Sequence, residues 1–277
     1  MTGLAVRLPV GKAHAYGNDF LLVPEPRHGS PTASDGGTIR DLARAMCRRH
    51  DGVGADGLIL YTLRDRGATM KLWNADGSPS ELSGNGLRCL AALIARTQRV
   101  AVGSSIAVDT DAGVKTLELL ARDGERYTFR AAMGMPEDLR QISIPVGDES
   151  VTASVLRLGN PQCVVIGPLP DPERFNRLGP ALATHAMFPA GTNVEFAQVE
   201  APDRVKILIW ERGVGPTTSS GTGIAASAVA AAAHGGAAKQ LDVAAPGGTQ
   251  RVEWRDDSVY LTGWAELILE GEWIGRT

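Results

Sequence analysis

Most of the chain alternates short apolar runs with clusters of glycine, asparagine and aspartate, the pattern of strands joined by tight turns. Four longer stretches carry helical spacing instead. Strands are predicted over residues 6–10 and 20–23, on either side of the turn-like Ala15-Tyr16-Gly17-Asn18-Asp19. Residues 27–37, rich in Pro, Ser and Gly, read as a loop. Thr38 is placed to cap a helix from Ile39 to about Arg49, because Ile39, Leu42, Ala43, Met46 and Cys47 fall on one face. Strands follow at 58–62 and 69–73, the second running into Asn74-Ala75-Asp76-Gly77-Ser78, where Asp-Gly signals a turn. A helix at 87–95 and strands at 106–109, 115–120 and 127–131 complete the first half.

The second half repeats this order. Strands at 151–158 and 163–166 are separated by Gly159-Asn160-Pro161, a helix covers 172–183, and strands at 194–199 and 205–210 lead to an apolar helix at 224–233. Strands at 251–254, 258–264 and 265–273 finish the chain. Each half has an Asn after an early strand (Asn18, Asn160) and another flanking a later strand (Asn74, Asn193). Each then has Ser-Gly-x-Gly opening an apolar helix: Ser83-Gly84-Asn85-Gly86 and Ser220-Gly221-Thr222-Gly223. A repeat about half the chain long argues for two similar lobes, not a solenoid. The expected architecture is α/β (α+β), with lobes at 1–135 and 136–277. The boundary falls where Met135-Pro136-Glu137-Asp138 interrupts the strand pattern, and the last strand is free to cross back to the first lobe.

Composition narrows the function classes. The 277 residues are 43% hydrophobic and 21% charged, ordinary for a globular chain, with a net charge of −3. With no long basic run and few aromatic residues, nucleic acid is not the expected partner. Cys47, Cys89 and Cys163 form neither a disulfide framework nor a CxxC site. The first residues lack a signal-peptide pattern, and the apolar run of residues 224–233 stops short of the roughly 20 residues of a membrane span. A cytoplasmic protein without a membrane partner is expected. The five histidines are scattered, and no HExxH, P-loop or G-x-S-x-G is present, so neither metal nor a Ser-His triad is favoured.

The candidate chemistry sits at the two Ser-Gly-x-Gly starts. Glycines there allow close backbone approach, and the first turn of a helix exposes unpaired N–H groups and a positive dipole end, which favour a carboxylate. Two such ends facing each other would form one small-molecule site with a hydroxyl on either side; the other reading is that Ser83 and Ser220 are simply N-caps. Arg212 offers a bidentate clamp for a carboxylate and Glu211 a partner for an ammonium, or the two form a surface ion pair. Asn18, Asn74, Asn160 and Asn193 are turn residues or, together, a set of amides suited to a polar amino-acid ligand.

In sequence the chain resembles the diaminopimelate epimerases over nearly its whole length. The resemblance rests on Gly17-Asn18-Asp19-Phe20, Arg49-His50-Asp51-Gly52-Val53-Gly54-Ala55-Asp56-Gly57, Asn74-Ala75-Asp76-Gly77-Ser78 and Gly84-Asn85-Gly86-Leu87-Arg88-Cys89. It continues with Gly159-Asn160-Pro161, Gly191-Thr192-Asn193-Val194, Glu211-Arg212-Gly213 and Gly221-Thr222-Gly223. It implies two pseudo-symmetric lobes, each a mixed sheet round a central helix, often in a homodimer. It also implies cofactor-free conversion of LL- to meso-diaminopimelate, serving lysine and cell-wall synthesis. Binding residues would be Asn18, Asn74, Gly84, Asn85, Asn160, Asn193, Glu211, Arg212, Gly221 and Thr222.

The chain departs from that family where protons move. The family's two catalytic cysteines, a thiolate removing the α-proton and a thiol delivering one, fall on Ser83 and Ser220. The supporting His that follows Gly-Asn-Pro is Gln162. A hydroxyl is a far weaker acid than a thiol and does not serve as a ready base. The two-thiol route is therefore expected to be crippled. The serines then either replace cysteines to trap a ligand, or accompany altered chemistry using Asp76, Glu81 or Glu211. Such chemistry would be epimerisation, or a proton shift or double-bond isomerisation on another small carboxylate. The remaining reading is a catalytically silent amino-acid-binding protein.

Overall fold

The computed structural model describes residues 5–25 and 36–276. Backbone contacts divide the chain into two compact units: Met1–Arg130 with Trp264–Thr277, and Ala131–Gly263.

The first unit opens with a hairpin. Strands β1 (Ala5–Ala15) and β2 (Asn18–Pro24) pair antiparallel across Tyr16-Gly17, where φ is 56° and 85°. Two successive positive φ values are the backbone of a type I′ turn. Tyr16 is an unusual residue for it, and it is held from the side: its hydroxyl accepts from the Trp264 N–H (3.2 Å), and the two rings lie 4.5 Å apart. Leu21, Leu22 and Val23 are buried on both faces of β2, as in a strand with a parallel neighbour. That neighbour is β3 (Gly57–Arg64), reached through α1 (Gly36–Cys47). Next come β4 (Gly67–Asn74), β5 (Pro79–Ser80), α2 (Gly84–Thr97), β6 (Ser105–Thr110), β7 (Gly113–Asp123) and β8 (Arg126–Ala132).

The second unit holds β9 (Glu137–Val146), β10 (Glu149–Leu158), β11 (Asn160–Ile166), α3 (Pro172–Ala183), β12 (Asn193–Ala201), β13 (Arg204–Glu211), β14 (Gly215–Thr217), α4 (Gly221–His234), β15 (Gln240–Ala245) and β16 (Gly248–Trp254). A last strand, β17 (Val259–Arg276), pairs first with β16 and then with β1.

The pairing pattern is the same in both units. In the first, β1–β2 is antiparallel, β2–β3 parallel, β3–β4 antiparallel, β4–β6 parallel and β6–β7 antiparallel. In the second, β10–β11, β11–β12, β12–β13, β13–β15 and β15–β16 follow the identical sequence. Each mixed sheet wraps a central helix. Helix α2 touches β1, β2, β3, β4, β6 and β7, and α4 touches β10, β11, β12, β13, β15 and β16. Such surroundings require a helix apolar nearly all round. Ile224, Ala225, Ala226, Val229, Ala230 and Ala231 meet that in α4, as do Leu90, Ala91, Ala92 and Ile94 in α2. Each large side chain buried this way contributes about 1.5–3 kcal/mol, and together they fix the start of each helix inside its own unit.

Several local expectations are corrected. Helix α1 begins by Gly36, so Thr38 lies within its first turn, not at its cap, and Gly36 and Gly37 are helical; the rest of the predicted loop, to residue 35, lies outside the described residues. Asn18 and Asn160 open strands; the turns before them need only Tyr16-Gly17 and Gly159 (φ 78°). Strands β9 and β15 lack the apolar run that would announce them. The first half of β9, to Gln141, is not buried, and only Ile142, Ile144 and Val146 alternate inward at its end. The two predicted closing strands are one strand, β17, because Gly263 and Trp264 continue the ladder without a turn. Of the described residues, no helix is long and apolar enough to cross a membrane.

Candidate active site

In the first unit, Ser83 adopts extended backbone (φ −130°, ψ 124°) and its Oγ accepts from the Gly86 N–H at 3.1 Å, capping α2. Space beside Gly86 is tight: a Cβ would lie 3.1 Å from Ile59 Cδ1 and 3.3 Å from Phe20 and Ser83. Asn85, buried in the first turn, donates to Asn18 Oδ1 (3.1 Å) and accepts at its own Oδ1 from Arg88 Nη2 (2.6 Å). Asn18 in turn donates to Asp56 Oδ2 (2.8 Å). Arg49 bridges Asp56 (2.7 Å) and Asp19 (3.0 Å), and Lys12 reaches Asp19 at 2.9 Å. Burial acts to raise the Asp19 carboxyl, but the hydrogen bonds and charges of Arg49 and Lys12 outweigh it and hold the group below the usual range. The Ala75 N–H donates to Asp56 O, which ties the turn after Asn74 to the same network.

In the second unit, Ser220 repeats the cap almost angle for angle (φ −136°, ψ 120°), with Oγ accepting from Gly223 N–H at 3.3 Å. The buried residue behind this helix start is an acid. Glu195 of β12 has no exposed surface, and a Cβ on Gly223 would meet its Oε1 at 2.5 Å. With its amide turned to satisfy both ends, Gln162 donates to Glu195 (3.0 Å) and accepts from Thr222 Oγ1 (3.2 Å), with the Asn160 side chain beside it. Burial, then the charge of Glu211, raises Glu195 well above the usual carboxylate range. Burial also raises Glu211.

The sequence-derived candidates thus separate into groups. Ser83, Gly84, Asn85 and Asn18 come together at the start of α2, and Ser220, Gly221, Thr222, Gln162 and Asn160 at the start of α4. Asn193 is a staple: it is buried, donates to Pro161 O (3.3 Å) and accepts from Arg212 N–H (2.9 Å). Exposed Asn74 donates to Ser78 Oγ (2.9 Å) and so closes its own turn. Glu211 and Arg212 make no ion pair with each other; Arg212 Nη1 donates to Ala190 O (2.7 Å) instead. Of the three carboxylates considered for proton transfer, Asp76 and Glu81 are exposed, and hydrogen bonds from Ser78 hold Asp76 low, whereas Glu211 is half-buried and raised. All three cysteines are buried; burial pushes Cys47 up to about 12 and raises Cys89 and Cys163 further, so none stands in as a thiolate.

Sequence reasoning passed over Arg88 and Glu195. Each had a readable signal: one charged residue inside an otherwise apolar run, Leu87–Ala95 for Arg88 and Val194–Ala197 for Glu195.

A mixed sheet repeated around central helices is a fold found in solved structures of a hydroxyproline epimerase, a probable proline racemase and a methylitaconate-delta-isomerase, and by its sequence the chain is an isomerase-type enzyme. A crystal structure of a hydroxyproline epimerase from Agrobacterium vitis shares it with a TM-score of 0.68 over 98% of this chain and 93% of that one, at 16% identity. Within that class the sequence is specific: the family profile for diaminopimelate epimerase matches residues 10–137 and 154–268, and the chain belongs to that family. It is 41% identical to the diaminopimelate epimerase of Desulforudis audaxviator strain MP104C, across 95% of this chain and 98% of that protein. With the diaminopimelate epimerase of Desulfitobacterium hafniense strain DSM 10664 / DCB-2 the identity is 36%, across 95% and 97%.

Proposed function

We propose that this chain moves a proton at the α-carbon of a small amino acid, with LL- to meso-diaminopimelate as the reaction, and without a cofactor. The observation that carries this reading is the pair of serine-capped glycine turns: each opens a buried helix whose remaining first-turn N–H groups are available to a carboxylate. Asn18 and Asn85 at one helix start, with Asn160 and Thr222 at the other, supply the polar contacts. Glu211 is the proton-transfer group of the second unit, because a carboxylate held in a half-buried site is a stronger base than one in water. Its role is not the thiol chemistry of the family. Ser83 and Ser220 each accept a hydrogen bond from their own helix, which lowers the basicity of an already poor base. The reaction is therefore slow.

The same two caps favour a second reading, a binding protein that no longer turns over. Wash-in of deuterium at the α-carbon of diaminopimelate in deuterated water, followed by NMR, separates the two. Exchange at least about 100-fold slower than in cysteine-containing relatives, and abolished by Glu211→Gln, is expected. Exchange as fast as theirs would show that the serines do not limit the chemistry. Tight binding with no exchange would leave the silent protein.

A further inference from the structure

Arg88 lies in the second turn of α2 and is 2% exposed. Its Nη2 donates to Asn85 Oδ1 at 2.6 Å, and its guanidinium carbon sits 5.7 Å from the centre of the Tyr16 ring. Its Nε has no hydrogen-bond partner, and among the described residues no carboxylate pairs with it. The acids of the surrounding network are already engaged: Asp19 by Lys12 and Arg49, and Asp56 by Arg49 and Asn18. A buried charge without a counter-charge is unfavourable, so its presence calls for something that answers it.

The hydrogen bonds show where the answer would act. A guanidinium can only donate, and an ionised carboxylate can only accept. Between Arg88 and Asp56 stand two amides, and the ends fix both head to tail: Arg88 to Asn85, Asn85 to Asn18, Asn18 to Asp56. Each amide uses one N–H inside this chain of bonds and keeps the other. The start of α2 therefore combines first-turn N–H groups, two spare amide hydrogens and a fixed positive charge behind them. Every one of these features favours an incoming acceptor with negative charge.

We propose that Arg88 is a positioning residue, the buried positive charge that makes the start of α2 a receptor for a carboxylate of the ligand. This rests on the ligand class proposed above. Arg88 does not touch the ligand; it orients Asn85 and supplies the charge that the ligand's carboxylate balances. A purely structural Arg88 would support all ligands alike, whereas a charge that reads carboxylate discriminates among them.

Calorimetric titration with meso-diaminopimelate and with its diamide distinguishes the two roles. The wild-type protein should prefer the dicarboxylate, and Arg88→Met should shrink that preference by about tenfold with little change for the diamide. Should Arg88→Met fail to fold, Arg88→Gln can still donate to Asn85 while lacking the charge, and the same loss of preference is expected. Arg88→Lys should keep it. Equal weakening of both probes in a folded neutral variant overturns the inference and leaves the proposed ligand class standing. A wild-type protein that binds neither probe overturns the ligand class, and the inference with it.

Discussion

The starts of α2 and α4 are built alike but backed by different buried groups, a base behind one and an acid behind the other. Ser83 and Ser220 share backbone angles to within a few degrees, each caps the N–H three residues on, and each opens a 14-residue helix wrapped by a sheet of the same pairing order. Behind the first start is a buried cation, Arg88; pressed against the second is a buried acid, Glu195. The repeat thus keeps what the backbone needs and changes what a ligand would sense. One end suits a carboxylate, while the other gathers groups that accept or exchange protons, Glu195 and Glu211.

If the shared caps are the place where family chemistry was lost, the largest effect should come from restoring the thiols. The double variant Ser83→Cys with Ser220→Cys is expected to raise α-proton exchange by about 100-fold or more, with smaller gains from either single change. Each new thiol would stand where a helix start favours the thiolate. No gain from the double variant would move the cause to Gln162, which holds Thr222 and Glu195 where a family histidine would stand.

The next contrast is between equivalent glycines. An alanine Cβ at Gly223 would lie 2.5 Å from Glu195 Oε1, and moving that carboxyl breaks its bond to Gln162. At Gly86 the nearest atom is Ile59 Cδ1 at 3.1 Å, which needs to give only a few tenths of an ångström. Gly223→Ala should therefore destabilise by about 1–3 kcal/mol. For Gly86→Ala, the gain in helix propensity of about 1 kcal/mol offsets most of the crowding. Denaturant titration of both variants reads the difference; equal costs would mean that Glu195 is free to move aside.

Much of this was legible in the sequence, for physical reasons. Helix α3 matches its predicted span residue for residue because its signals are local: Asp171 caps it, Pro172 occupies its first turn, and Leu178 and Leu182 share a buried face. The repeat was readable because glycine and asparagine punctuate both halves at matching places. Pairing across the sheets was not, since parallel partners such as β13 and β15, or β4 and β6, lie far apart in sequence. The site divided the same way. Ser83, Asn85, Ser220 and Thr222 could be named as candidates from their turns, and Asn193 and Arg212 likewise, but the contacts that the last two make are defined only by the fold. The charges that distinguish the two helix starts sit inside apolar runs, where hydrophobic periodicity treats a single Arg or Glu as an interruption.

The smallest effect is also the most direct reading of those charges, the dependence of stability on pH. An unfolded glutamate titrates near 4.3, and Glu195 in the fold is raised well above that by burial and then by Glu211. Between the two values the native state holds a proton that the unfolded state has released. Its contribution is complete below about 4.3 and is lost as pH rises through the folded value, by at most about 1.4 kcal/mol per pH unit. Asp19 has the opposite sign: held low by Arg49 and Lys12, it stabilises above about 3.9 and loses that contribution as pH falls through its folded value. Glu195→Gln should flatten the alkaline limb of a stability–pH curve, though not completely, because Glu211 is raised in the same sense. Asp19→Asn should flatten the acid limb alone. If Glu195→Gln left the alkaline limb unchanged, Glu195 would have to be ionised in the fold, and the second helix start would hold a buried anion in place of a neutral acid.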